Sequence, residues 1–159
     1  MDALIIYDSF FGNTEKIAQA IGQALGSQKE VGIVRVGDLK PDQWMGLRLL
    51  VVGSPTRAFR PTPAINGFLG GIPRDDLKRV KVAAFDTRIS PEDTGSAILR
   101  RLVKLFGYAA KPISNRLVKK GGELIVPPEG FFVKESKGPL KEGELERAAD
   151  WARQIMAKL

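Results

Sequence analysis

The sequence predicts a doubly wound α/β fold, a parallel sheet with helices on both faces, on three observations. Short aliphatic runs alternate with helical patterns along the chain. Most of these runs are apolar on both faces, as strands covered by helices on each side must be. The last segment repeats its apolar residues with the helical period. A length of 159 residues with 43% hydrophobic content suits one domain spanning 1–159, and no repeat, low-complexity tract or linker divides it.

Strands are read at Leu4 to Tyr7, Val31 to Val36, Leu49 to Val52, Val80 to Phe85 and Leu124 to Val126, with Phe131 to Val133 continuing the fifth. Pro127-Pro128-Glu129-Gly130 stands between those last two pieces, where proline cannot donate to a ladder and a break is expected. Helices are expected at Thr14 to Leu25, Pro63 to Leu69, Thr94 to Phe106 and Ile113 to Lys120, with a weak turn near Asp42 to Met45. The final helix carries Leu145, Ala148, Ala152, Ile155 and Leu159 on one stripe. Glu142, Glu144 and Glu146 at its start and Lys158 in its last turn suit its dipole. Trp44 and Trp151 are expected on helical surfaces.

Composition restricts the chemistry. With 0 Cys and 0 His there is no thiolate nucleophile, imidazole base, soft metal ligand or Ser-His-Asp triad. Reactivity must come from carboxylates, Lys, Tyr, hydroxyls, backbone amides or a bound cofactor. Absence of Cys also suits a reducing compartment. The start, Met1 to Tyr7, has no basic n-region and turns polar at Asp8, so neither a signal peptide nor a membrane span is expected there. No other run approaches the roughly 18 to 20 apolar residues a span needs. The expectation is a soluble, cytoplasmic protein without a membrane partner.

The formal charge is +7, and it is unevenly placed. Basic residues outnumber acidic ones by 12 to 11 before Thr94 and by 7 to 0 from Thr94 to Gly122, then fall short by 6 to 7. The middle segment therefore holds the whole excess, in Arg100, Arg101, Lys104, Lys111, Arg116, Lys119 and Lys120. On a helix Arg100, Arg101 and Lys104 lie opposite Ile98, Leu102, Val103 and Phe106, as in a surface helix packed by its apolar side. A solvated face and an anionic docking surface are both open readings. No nucleic-acid motif or interleaved aromatics accompany the charge, so no specific nucleic-acid partner is expected.

In open α/β sheets ligands bind beyond the carboxyl ends of the strands, where strand order reverses. Three loops belong at that edge. The first is Ser9, Phe10, Phe11, Gly12, Asn13 and Thr14 before a helix, whose hydroxyls, glycine and free amides suit a phosphate or simply an ordinary cap. The second, Gly53, Ser54, Pro55, Thr56, Arg57, Ala58, Phe59, Arg60, Pro61, Thr62 and Pro63, exceeds a minimal strand-to-helix turn. In it Phe59 either faces a planar ligand or plugs the helices behind. The third is Asp86, Thr87, Arg88, Ile89, Ser90, Pro91, Glu92 and Asp93 and has no aromatic residue.

In this order the loops resemble those of the flavodoxin family of FMN-binding proteins. Ser9, Gly12, Asn13 and Thr14 match the family's phosphate loop, with Phe11 in place of its second hydroxyl. Gly53, Ser54, Pro55, Thr56 and Arg57 are similar to the flavin loop of flavodoxin-like NAD(P)H:quinone oxidoreductases. Gly138, Pro139, Leu140 and Glu142 to Glu146 resemble the lead into the last flavodoxin helix. The resemblance implies a five-stranded sheet of order 2-1-3-4-5 with FMN at its carboxyl edge. Ser9 to Thr14 would hold the phosphate, Ser54 to Phe59 would flank the ring, and Asp86, Thr87 and Arg88 would lie along its pyrimidine end.

A flavin fits the missing side chains, because electron transfer then occurs on the cofactor. Electron carrier and small flavin oxidoreductase are both open, serving a redox partner protein or a small acceptor. A binding module without FMN, docking through the basic helices, is the alternative. Arg57, Arg60 and Arg88 are expected nearest the ring, where positive charge favours an anionic reduced flavin. Other tenants of the fold are excluded: Gly53 and Ser54 replace a receiver's acceptor Asp, Phe10 replaces the second Asp of a phosphatase pair with Asp8, and neither nucleotide glycine motif occurs.

Overall fold

The computed structural model describes residues 2–26, 30–93 and 95–159. Its strands are β1 (Ala3–Tyr7), β2 (Val31–Arg35), β3 (Leu49–Pro55), β4 (Lys81–Ile89), β5 (Glu123–Leu124) and β6 (Glu129–Val133). The helices are α1 (Asn13–Leu25), α2 (Pro63–Gly71), α3 (Ala97–Phe106), α4 (Ala110–Lys119) and α5 (Glu144–Met156). The strands pair in parallel in the order β2-β1-β3-β4-β5, with β6 also on β4. This is the predicted topology, with its fifth position filled by two pieces. β5 pairs with Lys81 and Val82, and β6 with Phe85 to Ile89. The chain leaves the ladder between them at the two prolines, while Ile125 and Val126 stay buried.

Successive strand residues point to opposite faces and build two cores. Ile5, Tyr7, Val51, Ala83 and Phe85 pack under Ile17 and Ile21 of α1 and Ala148, Trp151 and Ile155 of α5. Leu4, Ile6, Leu50, Val52, Val82 and Ala84 pack under Ile65 and Leu69 of α2 and Ile113 and Leu117 of α4. At Gly53 an added Cβ would lie 2.1 Å from the Phe85 ring, so only glycine lets that ring cross the strand.

Three expectations are corrected. First, β3 and β4 run past their apolar runs: Ser54 pairs with Asp86 and Pro55 with Thr87, so Asp86, Thr87 and Arg88 are strand residues and not loop residues. The ladder continues because neighbouring strands satisfy the backbone there, whatever the polarity of the side chains. Second, Trp151 is 3% exposed, its ring edge-on to Phe85 and Phe131 with centroids 6.2 Å away. It sits one turn from Ala148 and Ile155, α5 is rotated so that Leu145 faces outward instead, and the helix ends at Met156 before the exposed Leu159. Third, α3 is not packed by its apolar side. Of its apolar residues only Val103 is buried, while Ile98 is 73%, Leu105 74% and Phe106 60% exposed. The expected start of that helix at Thr94 lies outside the described residues.

No helix among the described residues is long and apolar enough to cross a membrane. A buried tryptophan in edge contact with two rings should cost about 3 to 5 kcal/mol when truncated. Trp151→Ala is therefore expected to lower urea stability by that amount, whereas a surface tryptophan would move it by less than about 0.5 kcal/mol.

Candidate functional site

The first loop is shaped from beneath. Asp8, buried at the end of β1, accepts from the Ser9 N–H at 2.9 Å, and Arg35 of β2 reaches the same carboxylate at 3.3 Å. The Arg35 Nη2 also donates to the Ser9 carbonyl at 2.6 Å. Ser9 Oγ in turn accepts from the Gly12 N–H at 3.0 Å. Gly12 stands at the N-cap of α1 with φ 88, a conformation that disfavours a side chain. Among the described residues no side chain caps the first turn of α1, whose Asn13 and Thr14 line the space at the sheet's carboxyl edge.

Thr14 ties this helix to the fourth strand, its Oγ1 lying 2.8 Å from Thr87 Oγ1 in a buried contact. Asn13 Nδ2 donates to the Lys137 carbonyl at 3.2 Å and so reaches the segment after β6. The second loop is closed at its base. The Thr62 N–H donates to Ser54 Oγ at 3.0 Å, and the Thr56 N–H donates to the Thr87 carbonyl at 2.9 Å. Its tip is a tight reversal in which Arg57 and Arg60 exchange both backbone hydrogen bonds, with Ala58 at φ 46 and Phe59 at φ 67. Positive φ at two side-chain-bearing residues costs on the order of 1 to 3 kcal/mol each, held by the closed loop.

Asp86 anchors the third part of the site. It is completely buried, and Arg88 donates to its two oxygens at 2.6 and 2.7 Å. The Ala110 N–H at the start of α4 adds a third bond at 2.8 Å. Burial pushes the Asp86 carboxyl above the ordinary range, while Arg88 and the Ala110 N–H pull it down. Arg88 lies over the Tyr108 ring, its Cζ 3.8 Å from the centroid, and close on Gly130, where an added Cβ would meet it at 2.1 Å.

Together these loops enclose a cleft of about 90 Å³. Of the residues expected from sequence it is lined by Ser9, Phe10, Phe11, Asn13, Thr14, Pro55, Thr56, Arg57, Thr87 and Arg88. Ser54 and Asp86 lie behind it as buried supports. Phe59 turns away, stacking on Phe106 of α3 with centroids 5.8 Å apart. The aromatic face beside the cleft belongs instead to Phe10, 51% exposed, with the Arg57 guanidinium 4.9 Å from its centroid.

Sequence reasoning missed Arg35, Tyr108 and Ser136. Arg35 and Tyr108 support the site from distant elements, and Ser136 lines the cleft. The one signal for Arg35 is its place as the charged residue that ends the apolar run of β2 at the carboxyl edge. Nothing in the local pattern marks Tyr108 or Ser136.

Solved structures of similar backbone include flavodoxins matched over nearly their whole length. Flavodoxin 2 of Bacillus cereus matches with a TM-score of 0.75 and 24% identity, covering 100% of both chains. A flavodoxin from the domain Archaea matches with 0.73 and 21%, over 99% of this chain and 98% of that one. A flavodoxin, WrbA-like protein from Agrobacterium tumefaciens matches with 0.66 and 18%, over 96% and 98%. The fold is therefore flavodoxin-like. No protein-family model matches the sequence, and no curated protein matches it significantly.

Removing one partner of a buried ion pair strands the other charge, at about 3 to 5 kcal/mol. Asp86→Asn should lower urea stability by about that much, and adding Arg88→Met should restore part of the loss. Equal losses in the single and double variants would contradict the coupling.

Proposed function

We propose that this chain is an FMN-binding electron-transfer protein. The observation that carries the reading is the uncapped amino end of α1, opening into a cleft that residues from all three strand ends share. Such an end supplies unpaired N–H groups and a positive dipole, which suit a phosphate dianion. The donor set fits the group: the Thr14 and Ser9 hydroxyls stand beside those amides, and the cleft is of phosphoryl size. The exposed rings of Phe10 and Phe11 and the Arg57 guanidinium, all at the cleft, are the groups that would hold the FMN ring.

Bound FMN would supply the redox chemistry that a chain with 0 Cys and 0 His lacks. The protein's part is to hold and to tune. Arg88 adds little net charge, since the Asp86 carboxylate sits against it. Arg57 has no carboxylate partner among the described residues and stands on Phe10, so it is the cation that favours an anionic reduced ring. The likeness to flavodoxins and to a WrbA-like protein supports the reading at the level of fold. Carrier and small reductase share this geometry. A flavodoxin-fold binding module without FMN is favoured by two features, Phe11 at a hydroxyl position of the phosphate loop and the absence of an aromatic residue from Asp86 to Asp93.

Titration of the apo-protein with FMN separates these readings. Flavin fluorescence is expected to fall to an endpoint at one equivalent, and Arg57→Gln is expected to shift the midpoint potential to more negative values at low salt. No change in fluorescence at stoichiometric FMN would refute the flavin reading, and an unchanged midpoint would refute the role of Arg57.

A further inference from the structure

Helix α3 leaves much of its apolar surface without a partner. Positions advance about 100° per residue, so Val103 points inward while Ile98, Leu102 and Leu105 form an outer stripe bordered by Arg101, with Lys104 and then Arg100 further round the helix. Ile98 and Leu105 are about three-quarters exposed, at 73% and 74%. Beside the stripe Phe106 meets Phe59 from the second loop, and the two help line a hollow of about 330 Å³ with Ala58, Arg60 and Pro112. The helix is joined to the site itself: the Ala109 N–H, just past its end, donates to Thr56 Oγ1 at 3.1 Å.

Cations predominate around this patch, although the turn 91–93 that packs against α3 carries the exposed Glu92. Arg60, Arg100, Arg101, Lys104 and Lys111 are exposed and have no ion-pair partner among the described residues. The nearest acids in sequence are Glu92 and Asp93, and Asp93 is already paired with Lys141. An apolar centre with a charged rim is the anatomy of a protein interface. A contiguous exposed patch of this kind marks an interaction site more often than an accident of packing.

We propose that α3 and the tip of the second loop form the docking surface for an acidic electron-transfer protein. This rests on the electron-transfer reading above and names its partner class. Three features select that occupant. A second copy of this chain would bring the same unpaired cations together, which opposes association. The hollow between Phe59 and Phe106 is concave and takes a protruding side chain, which a protein surface offers and a bilayer does not. The surface also adjoins the cleft through Thr56 and Arg57, so a partner seated there comes close to a ligand held in it.

The test is equilibrium binding of a defined acidic probe, a plant-type ferredoxin, to the full chain with and without FMN, with basic cytochrome c as the opposite-charge control. Arg100→Glu/Arg101→Glu/Lys104→Glu is expected to weaken ferredoxin binding at least about ten-fold, and Leu105→Ser several-fold. Raising salt should weaken wild-type binding in the same direction. These side chains are exposed, so FMN affinity and thermal stability should not change. Absence of ferredoxin binding, equal binding by the triple variant, tighter binding to cytochrome c, a dimer abolished by Leu105→Ser, or preferential binding to phosphatidylserine vesicles would each overturn the proposal. Because binding is read on the apo-protein as well, failure of the flavin reading leaves this result interpretable.

Discussion

The buried Asp86 carboxylate is the constraint on which much of this site depends. A full charge with no solvent contact must find donors or give up its ionisation. Here it finds Arg88 twice and the first amide of α4 once. β4 continues beyond its apolar run because β3 and β6 pair with it there, and the bond to Ala110 seats α4 at the sheet's carboxyl edge. The bonds from Arg88 also hold that side chain flat between Tyr108 and Gly130, where it walls the cleft without presenting a free charge. The next residue back along the strand, Phe85, faces the core under α1 and α5, whereas Asp86 faces α4, so the ion pair closes the carboxyl end of the opposite core.

The first loop depends on a parallel arrangement one strand away. Asp8 and Arg35 fix Ser9, Ser9 fixes Gly12, and Gly12 turns the chain into α1 with its amides unsatisfied. An open helix end costs stability unless something accepts from it, and water or a ligand must do so. Thr14 and Thr87 then join the two halves through a hydroxyl pair. The site is thus built on strand ends and a helix start, with only the second loop relying on local strain.

Much of this was legible in sequence. The aliphatic runs of β1, β3 and β4 and the glycine-threonine start of α1 marked the sheet and the phosphate-like end, because periodicity and capping are local properties. The cleft's lining from Ser9 to Thr14 and from Pro55 to Arg57 followed from topology. What was not legible depends on long-range packing. Phe59 reads either as a ligand-facing aromatic or as a plug on the helices until Phe106, nearly fifty positions later, supplies a ring for it to pack on. Trp151 reads as a surface residue until the rotation of α5 is known, and Asp86 reads as loop until β6 arrives beside it. The exposed side of α3 is the reverse case: its sequence has the pattern of a packed helix, but among the described residues no element buries Ile98 or Leu105.

The central claim is that the amino end of α1 recognises a phosphate attached to a flavin. Isothermal titration of the apo-protein with FMN and with riboflavin isolates that contribution, since the two ligands share the ring and differ in the phosphate. Hydrogen bonds to a charged group contribute about 1.5 to 3 kcal/mol each, so FMN should bind about a hundred-fold tighter or more. Equal affinity for the two, or binding of neither, would contradict the account.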